Sequence, residues 1–171
     1  MDGEDQIKKA YESILMNDFE QAIEWFEQAV ATEPHNAAFH YKLSITYARS
    51  NKLGKAIEHA KEAIRLEPDE NQYNFHLEHL QSRELIHQAQ KYFKESDQQL
   101  WMAVILLQEA IKLDSLSVDA FLLTGLAYSQ LKEYSQAIRA INELLKLDPQ
   151  HELGRQLLAE IQQKLHQYMQ S

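Results

Sequence analysis

The chain of 171 residues contains no cysteine, only four glycines and three prolines, and no run of lysine or arginine. Without cysteine there is no disulfide framework, no zinc–thiolate site and no thiol nucleophile. That usage suits a reducing compartment, and a cytoplasmic protein is the expectation. Scarce glycine and proline leave no low-complexity linker. The formal charge of −9 and pI near 5.3 exclude the clustered basic surface that sequence-independent nucleic-acid binding needs. The longest apolar run, Leu100 to Leu107, is far shorter than the ~20 residues that insert across a membrane. The acidic start, MDGEDQIKKAYE, lacks the apolar stretch of a signal peptide. A chain of this size buries roughly 70% of its unfolded surface, so it needs neither disulfide nor metal for stability.

What the chain does contain is a repeat. Pro34 and Pro68 stand 34 residues apart, and each closes a near-copy of one segment. The copies read DFEQAIEWFEQAVATEP (Asp18 to Pro34) and KLGKAIEHAKEAIRLEP (Lys52 to Pro68), with a third, KEYSQAIRAINELLKLDP, from Lys132 to Pro149. Self-similarity at this period predicts stacked helical units and no single globular core.

The repeat resembles the tetratricopeptide family, whose units of 34 residues follow W-x2-L-G-x2-Y, then A-x3-F, then a final A and P. In residues 37–70 the pattern falls on His40, Leu43, Ser44, Tyr47, Ala56, Ala60, Ala63 and Pro68. In 118–151 it falls on Phe121, Thr124, Gly125, Tyr128, Ala137, Ile141, Leu144 and Pro149. In 3–36 the second half matches through Ala22, Phe26, Ala29 and Pro34. The resemblance implies an all-α, right-handed superhelical array of antiparallel helix pairs, forming one domain across the chain.

The first half of unit one is ambiguous. Strict spacing puts Gln6, Lys9, Ala10 and Ser13 on the packing face. A slip of one residue puts Ile7, Ala10, Tyr11 and Ile14 there, and this apolar stripe is favoured by helical periodicity. The third unit, 84–117, carries Ala103, Leu107, Ala110 and Leu113, with Ser115 in place of proline. Before it lie thirteen extra residues, 71–83, with no breaker. Tyr73, Leu77 and Leu80 share one face there, whereas Leu85, Ala89 and Tyr92 share another. One long helix with two contact faces is favoured over a break near Ser82. The C-terminal segment, 151–170, repeats Leu153, Leu157, Ile161 and Leu165 every fourth residue and reads as a helix capping the array's apolar end.

In this family the first helix of each unit lines a concave side. The resemblance therefore implies a partner-binding groove of Tyr11 and Ile14, joined by Ile7 under strict spacing. Tyr41, Ile45 and Arg49 follow in unit two, Gln88 and Tyr92 in unit three, and Leu122 and Leu126 in unit four. Mixed aromatic and aliphatic side chains suit a peptide or amphipathic helix of another protein. The alternative is that they only pack against neighbouring helices. A branch of the family grips acidic C-terminal tails with lysine, asparagine and arginine. Here Ile7, Tyr11, Tyr41, Ile45 and Leu122 occupy those slots, and carboxylates would go unpaired.

Unit three places Trp101 and Ile105 on an outer face that is polar in other units (Glu24 and Gln28, Glu58 and Lys61). Either the insert folds back over them through Tyr73, Leu77 or Leu80, the favoured reading, or a second copy covers them in a homodimer. His76, His79, Arg83 and His87 share a helical face, but the arginine opposes a cation and no metal is expected. There is no Gly-rich phosphate loop, no G-x-S-x-G and no H-E-x-x-H, so no enzyme and no cofactor is expected.

Overall fold

A computed structural model describes residues 1–94 and 96–171. The described residues form α-helices and no strand. They are α1 (Gly3–Leu15), α2 (Phe19–Thr32), α3 (Ala37–Arg49), α4 (Leu53–Leu66), α5 (Asn71–Gln90), α6 (Asp97–Leu113), α7 (Val118–Gln130), α8 (Tyr134–Leu147) and α9 (Glu152–Gln170), with a 3-10 turn at Lys91–Lys94 between α5 and α6. The fold is the expected all-α array of helix pairs. It divides into two compact units, Met1–Leu80 and Gln81–Ser171.

Six of the helices, α1, α2, α3, α6, α7 and α9, start where a polar side chain accepts from an otherwise unpaired backbone N–H. Asp2, Asp18 and Asn36 accept from Asp5, Gln21 and Phe39. Ser117 does the same for Ala120, and Ser96 forms a reciprocal capping box with Gln99. His151 caps α9 through its Nδ1, which accepts from Gly154 at 2.9 Å.

The prolines end helices as anticipated, by forcing the preceding residue out of helical geometry. Glu33, Glu67 and Asp148 have φ near −130° and ψ of 73 to 87°. Asp114, before Ser115, adopts nearly the same angles (φ −139°, ψ 92°). Each of the four carbonyls accepts from the N–H three residues on: Asn36, Glu70, Ser117 and His151. The corner in the third repeat thus survives without its proline.

Alanines permit the close packing. Ala10, Ala22, Ala29, Ala56 and Ala60 are fully buried in the first unit's main core, around Phe26, Phe39 and Leu43. Ala103, Ala110, Ala120, Ala127 and Ala137 play the same part in the second, around Leu107 and Ile141. Gly125 fits only as glycine, since a Cβ there would run into Cδ1 and Cγ1 of Ile141.

Several expectations need correction. The slipped register of α1 is not adopted: Gln6, Ala10 and Ser13 are buried together with Ile7, and Tyr11 is 44% exposed. Burial of the two polar residues is tolerated because each is hydrogen-bonded. Gln6 Oε1 accepts from Thr32 Oγ1 at 3.0 Å, and Ser13 Oγ donates to the Lys9 carbonyl at 3.0 Å.

The insert continues α5 without a break at Ser82. That side chain is buried, and its Oγ donates to the Ala110 carbonyl at 2.9 Å. The helix ends at Gln90, however, so Tyr92 lies in the 3-10 turn. On its second face Ile86 is the buried residue and Leu85 only partly so. Tyr73 and Leu80 are buried and Leu77 partly buried in cores of the first unit. Trp101 and Ile105 are 41% and 51% exposed. On α9, Leu157 and Ile161 are buried as expected, but Leu153 faces solvent and Gly154 takes the packing place beside Leu144.

Candidate partner-binding faces

The first unit presents Tyr11, on α1, beside residues of α3. Its ring stands edge-on to Phe26, centroids 5.7 Å apart. Lys42 Nζ donates to the Tyr11 hydroxyl at 2.8 Å and lies 5.3 Å from the ring centroid. This exposed phenol is therefore fixed by a core aromatic on one edge and a cation at its tip. Ile14 is half-buried against the same core. Tyr41 is half-buried, tilted over Tyr73 at 4.8 Å and edge-on to His76 at 5.2 Å. Ile45 is half-buried and Arg49 exposed.

His76 is held as well. Ser44 Oγ gives its one hydrogen to the Ala56 carbonyl at 2.6 Å, so the His76 Nε2–H donates to Ser44 Oγ at 2.8 Å. The four residues read as one helical face, His76, His79, Arg83 and His87, all lie on α5. His76 turns into the first unit, and His87 lies exposed in the second. Among the described residues no group of three or more His, Asp or Glu is placed to hold a metal ion.

In the second unit Gln88 is exposed, while Tyr92, Leu122 and Leu126 are partly buried against the core. Leu122 also lines a cleft of about 350 Å³ with Arg83, Ile86, His87, Gln90, Asp119 and Leu123. A second cleft of about 370 Å³ lies over α6, α7 and α8, lined by Ile111, Phe121, Tyr128, Gln136, Arg139 and Glu143 among others. Trp101 stands edge-on to Tyr128 at 6.1 Å, and the Tyr128 hydroxyl accepts from Gln108 at 3.0 Å. His59 and Asp119 were not singled out by sequence, whereas Lys42 was noted only as lying near the groove positions.

The electrostatic perturbations are structural. The Tyr47 phenol donates to the Glu27 carboxylate. Burial, then that hydrogen bond and the charges of Glu27, Glu58 and Glu20, push its pKa far above the usual phenol value. Burial also raises Tyr73, helped by Glu67 and Glu70. No helix of the described residues is long and apolar enough to cross a membrane.

Short helices in repeated antiparallel pairs define a helical repeat protein of the interaction type. The chain belongs to the tetratricopeptide repeat family, whose profiles match residues 13–75 and 118–151. As a member it is a protein–protein interaction adaptor and not an enzyme. A crystal structure of MamA protein aligns with TM-score 0.53 at 21% identity, covering 93% of this chain and 80% of that one. MamA from Desulfovibrio magneticus RS-1 aligns with TM-score 0.56 at 15% identity, covering 96% and 85%. At such identities the likeness is one of fold. No curated protein sequence matches the chain.

Proposed function

We propose that the chain receives a peptide or amphipathic helix of another protein on the first helices of its pairs. The observation that carries this reading is Tyr11, exposed yet held by Phe26 and by Lys42 of α3, the helix that also carries Tyr41, Ile45 and Arg49. A side chain already locked in the free protein loses little entropy on binding. Aromatic anchors ringed by polar groups suit recognition through a few residues. In the second unit, Gln88, Tyr92, Leu122 and Leu126 are the corresponding proposal, with the Leu122 cleft sized for an apolar side chain. The net charge of −9 favours a partner with basic character.

The test is direct. Peptides selected from a random displayed library on the wild type are titrated against Tyr11→Ala plus Ile45→Ala, with thermal melts confirming the fold. Binding should weaken at least tenfold, about 1.4 kcal/mol. Undiminished affinity would remove the groove reading.

A second reading rests on Trp101, Met102 and Ile105, exposed by 41, 45 and 51%. The matching positions of other units are Glu20, Gln21 and Glu24; Gly54, Lys55 and Glu58; and Ser135, Gln136 and Arg139. Only this unit makes the face apolar, which supports self-association there in a homodimer.

A further inference from the structure

His40 is buried at the start of α3, and its Nε2 lies 2.8 Å from the Pro34 carbonyl oxygen. A carbonyl only accepts, so this nitrogen carries a hydrogen. The Nδ1 of the same ring meets Nδ1 of His59, on α4, at 3.0 Å. Their planes lie within 25° of each other. Two imidazole nitrogens at this separation share one hydrogen: one donates and the other accepts. Neutral His40 can accept from His59, and the contact also tolerates one extra proton. A second extra proton would set two N–H groups against each other in a partly desolvated place.

We infer that the His40–His59 pair is an acid-sensitive joint which holds at most one positive charge, and that charging both rings releases the α2–α3 corner at Pro34. The corner follows because the Pro34 carbonyl is tied through His40, whose ring is positioned by His59 across the pair.

The surroundings fit this limit. The Tyr47 ring lies 5.6 Å from that of His59, near-parallel to it. Burial lowers the His59 pKa from 6.5, and so does the neighbouring His40; Lys55 acts the same way, and Glu58 and Glu27 oppose it. Glu62 on α4 interacts electrostatically with His40 and with His35 in the corner. From α5, His76 is occupied with Ser44 and Tyr41. A histidine whose folded pKa is depressed contributes stability fully present above pH 6.5 and lost as pH falls through the folded value.

The experiment is a site-resolved NMR titration of the histidine ring signals, with amide signals of residues 33–40 followed in parallel. Site resolution matters because His151 also loses its capping bond on protonation. The expected result is that the His59 ring charges below the ordinary histidine range, with the corner amides shifting on that step. His59→Asn presents an amide N–H where Nδ1 stood and cannot titrate, so it should keep those amides native at acid pH. His166→Asn, on the exposed face of α9, should change nothing there. A His59 ring that charges in the ordinary range, with the corner undisturbed, would overturn the proposal. That result is read on the wild type, so it does not depend on a variant folding.

Discussion

Lys132 sits at φ 61° in the turn between α7 and α8, where Asn17 and Asn51 occupy the matching turns at 61° and 57°. Asparagine tolerates this left-handed region, whereas a lysine Cβ crowds the following carbonyl. Lys132→Asn should therefore stabilise the protein by about 0.5–1 kcal/mol. Denaturant melts would show it as a raised midpoint at unchanged slope, and a lowered midpoint would refute the strain. Tyr47 makes the opposite case. Tyr47→Phe removes a hydrogen bond to Glu27, an exposed carboxylate that water can resolvate, so the loss should be about 1 kcal/mol. The phenol pKa is raised on folding, so its contribution is fully present below pH 10 and disappears above it. Alkaline melts should accordingly show a shallower decline for Tyr47→Phe than for the wild type.

Helix ends and corners are where elements were easiest to read. The proline rule placed the ends of α2, α4 and α8, because a missing N–H and a restricted preceding residue act locally. The end of α6 obeys the same geometry through Asp114 with no proline at all. Ser115→Pro should thus be accepted and should stabilise by about 0.4–1 kcal/mol through the unfolded chain. A fall in thermal midpoint would mean that Ser115 is constrained in a way its neighbours are not. α5 was readable as continuous for want of a breaker, but its end at Gln90 was not, since nothing in Lys91–Lys94 announces a tighter turn. The register of α1 also escaped periodicity. Two buried polar residues look like surface until Thr32 and the Lys9 carbonyl are known to meet them.

At the scale of the molecule, each compact unit has its own core, and the second is completed by α9. Ile161 is fully buried and Leu157 nearly so. Ile161→Ala should cost about 2–5 kcal/mol, read from chemical unfolding. A loss below 1 kcal/mol would mean that α9 packs too loosely to complete that core. The exposed triplet Trp101, Met102 and Ile105 bears on oligomeric state. Light scattering should show a mass above the monomer that falls in Trp101→Ala plus Ile105→Ala. A wild-type monomer whose mass the variant does not change would dispose of self-association. Of the candidate groove, the exposure of Tyr11 was not identifiable in the sequence, since the favoured register of α1 put it on the packing face. The packing of Tyr92, Leu122 and Leu126 against a core was not either, because that depends on neighbours far along the chain.

By itself the sequence determined the helix pairs, their small residues and their corners. These depend on chemistry within one repeat: an alanine where helices cross, a capping oxygen, a proline or its substitute. Tertiary structure alone decided which face of α1 is buried, that Trp101 stays exposed, and that His40 and His59 share a hydrogen. Those outcomes depend on which side chains are brought together from different helices. Their cost or gain comes from desolvation and hydrogen bonding at that meeting, which no single segment encodes.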